Sequence, residues 1–289
     1  MNGFWYTLLA WIAGHCGSWL FALTARIIAT GYFVFSPRVG ASRHFYAALY
    51  PQRGRLYHHW CSFKQYQNFT TIHLDRFLAG QAKPAAFTSQ GLEKLEEVLG
   101  RQGGILLMSH LGNWEIAATL LKKQREGLQL LLYMGVKEKE GVERMQKDDL
   151  RRSGITIIGV TQEDTSPFAS VAALHFLRSG GLVSIAGDIV WRSDQRKVRV
   201  TFLGRNAYLP EAPFVLALLS GAPLFVFFAF RTGKNSYQCT LSEPIPLQPT
   251  SRRDRQGAIA QAAQQYADLL EIAVRQNPFE WYHFDRFIL

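Results

Sequence analysis

The chain has 289 residues, of which 48% are hydrophobic, 13% aromatic and 19% charged, a composition that indicates a globular protein and excludes a disordered one. The formal net charge of +10 favours an anionic partner: a membrane surface, an acidic protein, a phosphorylated ligand or nucleic acid. No zinc-finger spacing, RNP-type aromatic motif or basic heptad helix supports nucleic acid. The three cysteines are far apart, which fits a reducing compartment, and without a standard metal-ligand spacing neither a metal nor another cofactor is predicted.

The first predicted element is an uncharged, aromatic-rich segment over Phe4–Ala25. As a helix its 22 residues would span about 33 Å, enough for a hydrocarbon core of about 30 Å. A single span, a helix lying in the interface and a buried core helix are all open interpretations, and we favour a hydrophobic membrane-anchoring helix over residues 1–35. Basic residues follow the segment and none precedes it, so the positive-inside rule leaves residues 36–289 on the cytoplasmic side as one domain.

Helices and strands alternate through most of the remaining chain. Residues Gly80–Ser89 are expected to form a loop. The spacing of apolar residues predicts helices over Arg43–Tyr50, Tyr57–Leu78, Gly91–Leu99, Glu143–Arg152, Ser166–Arg178, Pro213–Ser220 and Ala258–Arg275. Apolar or alternating runs predict strands over Ile105–Met108, Leu128–Tyr133, Ile155–Gly159, Leu182–Ala186, Val198–Phe202, Leu224–Phe230 and Tyr237–Leu241. This order predicts an α/β fold with a mostly parallel central sheet flanked by helices.

The stretch Ile105–Glu115 combines a buried strand with the start of a helix. The apolar run that ends at Met108 is typical of a buried strand, and from Asn113 the apolar residues recur at helical spacing. His110 therefore lies in the turn between the two elements, where Gly112 allows backbone angles that other residues resist. Such a turn would let the carboxylate of Glu115 reach one nitrogen of His110 and leave the other nitrogen facing a pocket.

A histidine held by a carboxylate is suited to activating an alcohol. A neutral imidazole can accept the proton of a hydroxyl group during its attack. A carboxylate on the far nitrogen fixes the tautomer and stabilises the imidazolium that forms. His110 could instead cap a helix or satisfy a buried strand end, and the pair of residues alone does not decide between these interpretations.

The hexapeptide His110–Glu115, which reads H-L-G-N-W-E, resembles the H-x-x-x-x-D/E motif of the lysophospholipid acyltransferase superfamily. In this form it is similar to the late acyltransferases of lipid A biosynthesis, and the similarity extends from about Ser36 to the C-terminus. Phe202–Arg205 resembles the F-x-G element of that family. The segment Asn277–Phe287 resembles its closing P-x-x-W-x-W-x-H-R-R-F sequence, with Tyr282–Asp285 in place of the usual basic pair.

Other polar residues resemble further positions of the family. Asp188 follows the strand Leu182–Ala186, at the strand end where ligands of parallel sheets bind, and the family has an acidic residue in the corresponding stretch; a turn cap is the alternative. Gly204 belongs to the F-x-G element, and Arg152 resembles an arginine that could stabilise an oxyanion. Arg192 begins a basic cluster that could bind a phosphate or form a solvated loop. The cluster continues with Arg196, Lys197 and Arg199.

The resemblance implies an enzyme that moves a fatty acyl chain from an acyl carrier protein thioester to a hydroxyl of a membrane glycolipid, with a lipid A precursor as the favoured acceptor. His110 would be the general base and Glu115 would orient it. Backbone amides near Gly112 and Asn113, together with Arg152, would hold the oxyanion. The enzyme would need no cofactor and would work at the cytoplasmic face of a bacterial inner membrane.

Two alternatives to this interpretation remain. The acceptor could be a lysophospholipid, an ornithine-type lipid or a polyene glycolipid. The chain could also be a membrane lipid-binding protein without turnover, although the intact His110 and Glu115 argue against that. A serine hydrolase is not indicated, because the chain has no G-x-S-x-G sequence.

Overall fold

The computed structural model describes residues 18–79, 86–99, 101–125, 127–135, 148, 150–160, 168–192, 194–233, 236–249 and 251–289. Residues 1–17 of the predicted membrane anchor, and most of the predicted helix over Glu143–Arg152, lie outside these residues. Among the residues that are described, no helix combines the length and the hydropathy needed to cross a membrane.

Within residues 18–79, three helices precede the sheet. They are α1 (Ser18–Phe35), α2 (Val39–Leu49) and α3 (Arg55–Ala79), and both α1 and α2 pack against α3. Helix α1 ends directly before Ser36-Pro37, because proline disfavours helical backbone in the residue before it. The first predicted helix of the domain begins four residues earlier than expected, at Val39.

Seven strands form the central sheet. They are β1 (Ala86–Gln90), β2 (Gly104–Met108), β3 (Leu130–Gly135), β4 (Thr156–Val160), β5 (Leu182–Ala186), β8 (Leu224–Gly233) and β9 (Ser236–Leu241). Their spatial order is β1-β9-β8-β2-β5-β3-β4, and every pair is parallel except β8 with β9. The mostly parallel sheet is confirmed. The predicted loop Gly80–Ser89 is wrong at its end, where the polar strand β1 adds to the sheet edge through backbone hydrogen bonds.

Helices cover both faces of this sheet. They are α4 (Trp114–Gln124), α5 (Phe168–Arg178), α6 (Ala212–Ser220) and α7 (Arg255–Gln276), with short 3₁₀ turns at Leu92–Glu97 and Arg252–Asp254. The first of these turns replaces the predicted helix Gly91–Leu99. Strand β2 shows why its sequence is apolar throughout: Ile105 and Leu107 join the core on one face, whereas Leu106 and Met108 join the core on the other.

A separate two-stranded ribbon consists of β6 (Lys197–Phe202) and β7 (Arg205–Pro210). The predicted strand Val198–Phe202 is confirmed. Its pattern alternates, since Val200 and Phe202 are buried and Lys197 and Arg199 are exposed to solvent. Its partner β7 was not predicted. The two strands meet at Leu203 and Gly204, both with positive φ (52° and 70°), the backbone twist that a tight hairpin requires.

Candidate active site

A cavity of about 330 Å³ lies where parallel strands β2, β5, β3 and β4 end. Open parallel sheets bind their ligands at these carboxyl ends of the strands, because the chain leaves each strand there and the loops diverge. Most of the lining is apolar, and His110 and Arg192 contribute basic groups. The other main contributors are Met108, Ser109, Tyr133, Gly135, Ile185, Ala186 and Trp191.

His110 is held by Asp188 through two hydrogen bonds. Its ring Nδ1 donates to Oδ1 of Asp188 at 2.9 Å, and its backbone N–H donates to Oδ2 at 2.8 Å. Trp281 donates its Nε1–H to the same Oδ2 at 3.1 Å. The Asp188 side chain is fully buried, so these three donors satisfy a carboxylate that water does not reach. With the proton on Nδ1, Nε2 of His110 carries the lone pair that can accept another.

The charges of His110 and Asp188 stabilise each other. Burial by itself raises the pKa of Asp188, but the charge and hydrogen bonds of His110 outweigh burial and lower that pKa to about 2. Burial lowers the pKa of His110, yet the Asp188 carboxylate outweighs it and raises that pKa above the ordinary value of 6.5. Asp188 therefore stays ionised and increases the basicity of the imidazole.

The carboxylate on Nδ1 of His110 belongs to Asp188, whereas the sequence assigned this position to Glu115. Helix α4 begins at Trp114, which leaves Glu115 half-buried in the first helical turn. Asp188 lies 78 residues from His110, but β2 and β5 are neighbours in parallel register, with Met108 opposite Ala186. Both residues follow the ends of these strands by two positions, so the sheet brings them together.

The turn after His110 is fixed by its own backbone amides. The N–H of Gly112 donates to the carbonyl of Glu280 and the N–H of Asn113 donates to the carbonyl of Ala229, each at 2.9 Å. Gly112 has φ +76°, and a Cβ there would collide with the Ala229 carbonyl, so glycine is required as predicted. Because both amides already have acceptors, the structure does not support the prediction that they hold an oxyanion.

Asn113 caps the helix and does not line the cavity. Its Oδ1 accepts from the N–H of Ile116 at 3.3 Å, and its side chain lies beside the carboxylate of Asp75 on α3. Asp75 pairs with Arg231 on β8, with 3.1 Å between Oδ1 and Nε. The Asp75 side chain is 2% exposed and that of Arg231 is 27% exposed. A buried ion pair therefore ties α3 and the end of β8 to the turn.

Glu280 contributes a second carboxyl group to this region. Its pKa is raised to about 7, mainly by burial; the charge of Arg231 opposes this rise and the nearby Asp75 adds to it. The pKa of Asp75 is also raised by burial, although Tyr237 donates a hydrogen bond and Arg231 supplies an opposite charge. Glu280, Asp75 and Arg231 lie next to the turn and hold it in place, and none of them lines the cavity.

The remaining predicted site residues are placed differently. Arg192 lines the cavity and forms an ion pair with the exposed Asp194. Arg152 lies just before β4, at the amino ends of the parallel strands, whereas His110 lies at their carboxyl ends. The structure therefore does not bring Arg152 to the predicted oxyanion site. Gly204 lies at the turn of the ribbon, six paired residues from the Lys197–Pro210 end that borders the cavity.

Trp281 is the residue that sequence reasoning missed most clearly. Its indole holds Asp188 and is fully buried among aromatic rings, and its carbonyl accepts a hydrogen bond from the buried Gln65 side chain. The rings in contact with it are Phe45, Phe202, His283 and Phe287. The aromatic-rich end of the chain was the available signal, but its spacing does not show which ring faces the site.

Comparison with protein families gives one family model, that of the bacterial lipid A biosynthesis acyltransferases, which matches residues 69–287. No curated protein matches the chain significantly. The matched residues include His110, Asp188 and Trp281, and they cover well over half of the chain. The chain therefore belongs to the bacterial lipid A biosynthesis acyltransferase family, whose members transfer acyl groups to lipid A-type acceptors.

Proposed function

We propose that this acyltransferase moves a fatty acyl chain from the thioester of acyl carrier protein to a hydroxyl of a lipid A precursor, with His110 as general base. The observation that carries the proposal is the pairing of His110 with the buried carboxylate of Asp188 at a mostly apolar cavity. The pair can move a proton, and the apolar lining can accept a hydrocarbon chain.

The reaction begins when the acceptor hydroxyl hydrogen-bonds to Nε2 of His110. Its oxygen attacks the thioester carbonyl while its proton moves to Nε2, and Asp188 stabilises the imidazolium. When the tetrahedral intermediate collapses, the new ester forms and the carbon–sulfur bond breaks. The thiolate of the carrier then takes the proton back from Nε2, which restores neutral His110.

Among the described residues that line the cavity, Arg192 is the one arginine or lysine. Its guanidinium can stabilise the carbonyl oxygen as negative charge develops, a task for which the amides of Gly112 and Asn113 are not free. Asp194 shares the guanidinium and holds it in place. This assignment replaces Arg152, which lies at the far edge of the sheet.

The enzyme lies against the cytoplasmic face of the bacterial inner membrane in this proposal. One face of α1 supports it, because Trp19, Leu23 and Ile27 are spaced by four residues and are 65%, 48% and 64% exposed. Such a stripe on a basic protein is suited to an anionic bilayer. Replacing these three residues by serine should reduce co-sedimentation with anionic vesicles, whereas an unchanged bound fraction would remove α1 from membrane binding.

Another lipid acceptor is favoured by one observation. The family's closing basic pair is replaced by Tyr282–Asp285, and this departure lies beside the site because His283 packs on Trp281 with 5.2 Å between ring centroids. A lysophospholipid, ornithine-type lipid or polyene glycolipid is therefore the second candidate for the acceptor.

The test is an acyl-transfer assay on membranes with labelled acyl carrier protein thioester. Underacylated lipid A precursor and lysophospholipid compete as acceptors, for the wild type and for His110→Ala. Label reaching lipid A precursor only with the wild type supports the proposal. Label reaching another lipid keeps the mechanism and replaces the acceptor. Absence of transfer by folded wild-type protein refutes the proposal.

A further inference from the structure

The outer face of the β6–β7 ribbon is a basic surface that the reaction itself does not use. Lys197 and Arg199 alternate with buried residues along β6, and Arg196 precedes them; all three are exposed. Side chains two residues apart on a strand are about 7 Å apart. We call these three residues the basic face of the ribbon.

Nothing in the described part of the chain neutralises the basic face. None of its three residues has an ion-pair partner there, and Lys197 lies instead over the ring of Tyr208, 4.8 Å from the centroid. The nearby carboxylates are committed elsewhere. Asp194 pairs with Arg192, and Asp268 accepts from Gln264 on α7. The positive charge is therefore available to a partner in solution.

The basic face borders the entrance to the active-site cavity. In the ribbon, Lys197 is opposite Pro210, and Pro210 lines the cavity. The carbonyl of Arg196 accepts from the N–H of Glu211, the residue after Pro210, at 3.0 Å. A partner held on this face would thus be positioned to pass a tethered group past Pro210 towards His110.

We infer that the basic face of the ribbon docks the acidic acyl carrier protein while its acyl thioester enters the cavity. This inference rests on the proposed function and names the surface that its donor uses. The charges are spread along a flat strand, which suits an acidic protein surface, whereas a single phosphate needs donors that converge on one point. A membrane is less suited to this surface, because the ribbon exposes no large apolar side chain.

The experiment compares the double variant Lys197→Gln/Arg199→Gln with a matched control, Lys123→Gln/Arg178→Gln. Both variants remove two exposed positive charges. Lys123 and Arg178, however, lie in the last turns of α4 and α5, at the end of the strands opposite the cavity. The same acyl group is offered on acyl carrier protein and on pantetheine, which has no protein surface. Binding of unacylated carrier protein is measured directly, as a readout that does not depend on catalysis.

The ribbon variant should raise the KM for the carrier-protein donor about tenfold, leave kcat and the pantetheine reaction unchanged, and weaken carrier binding to the same extent. It should also reduce the salt dependence of KM, because fewer charge pairs between enzyme and carrier protein remain for salt to screen. The control should behave as the wild type.

Three results would overturn the inference. One is an equal KM for carrier protein in the two variants, and another is an equal loss with both donors. The third is loss of anionic-vesicle binding without loss of carrier binding, which would assign the face to the membrane. If wild-type enzyme transfers from neither donor, the proposed function fails, and the binding measurement still decides the docking surface.

Discussion

Two buried carboxylates contact the turn between β2 and α4, and the protein shifts their pKa values in opposite directions. Asp188 bonds to His110 at the start of the turn, and its pKa is lowered to about 2. Asp75 lies beside Asn113 at the end of the turn, and burial raises its pKa. Both are paired with a basic side chain, so burial and pairing alone do not explain the difference.

The two carboxylates also differ in their partners. Asp188 accepts from three N–H groups, and its partner His110 can gain and lose a proton at a cavity. Asp75 faces the guanidinium of Arg231, which is not among the residues that line the cavity. In this chain the carboxylate that faces a histidine at the cavity supports the proposed reaction, and the carboxylate that faces an arginine away from the cavity supports the fold.

The largest expected effect is the loss of turnover when His110 is removed. His110→Ala should lower kcat by about 10³-fold or more, since Nε2 of His110 is the group that takes the proton of the acceptor in the proposed mechanism. The unfolding free energy should fall as well, because the buried Asp188 carboxylate loses the charge and the Nδ1 donor that lower its pKa, so folding of the variant is checked by denaturant titration. The control His175→Ala, at an exposed position of α5, should keep full activity. Turnover near the wild-type rate in His110→Ala would refute the mechanism.

Asp188→Asn should have the next largest effect, a fall in kcat of about 10²–10⁴-fold, because the amide no longer stabilises the imidazolium. The base must be neutral to act, so activity falls at pH values below the pKa of His110. The carboxylate raises that pKa, and its removal should shift the acidic limb of the kcat/KM profile to lower pH.

Glu115→Gln is the matched comparison for Asp188→Asn. It should cost less than about tenfold in kcat and leave the acidic limb in place, since Nδ1 of His110 is bonded to Asp188. If Glu115→Gln instead shifted the profile and Asp188→Asn did not, the orienting role would return to Glu115.

The structural carboxylate is tested by Asp75→Asn. This change leaves Arg231 without its counterion and should lower the unfolding free energy by about 2–3 kcal/mol, less than for a fully buried pair because Arg231 is 27% exposed. Asp285→Asn removes a surface pair with Arg38 and should cost under about 1 kcal/mol. Equal denaturation midpoints for the two variants would show that the buried pair does not stabilise the turn.

The last predicted effect is a pH dependence of stability that comes from Glu280. Its folded-state pKa is about 7 against an ordinary 4.5, so its contribution to stability is complete below pH 4.5 and is lost as pH rises through 7. Between pH 5 and 8 the wild type should lose about 2–3 kcal/mol of unfolding free energy that Glu280→Gln keeps. Parallel pH dependences in denaturant titrations would contradict this.

Local sequence patterns predicted most of the elements. Apolar runs of four to seven residues gave the central strands, because strands covered on both faces have little choice but to be apolar. Strand β1 and ribbon strand β7 were missed for the opposite reason: β1 is polar and mostly exposed, and β7 carries Arg205 and Asn206 at its start. Edge strands are held by backbone pairing, which leaves little trace in side-chain pattern.

The sequence by itself determined that His110 ends a buried strand, that Gly112 is needed in the following turn, and that the chain has an acyltransferase motif. Only the tertiary structure decided which carboxylate holds His110 and that the backbone amides of the turn already donate to carbonyl groups. It also decided that Arg152 lies at the end of the strands opposite His110. The reason is that spacing along the chain predicts contacts within one element, whereas the order of parallel strands determines which distant residues meet at the sheet edge.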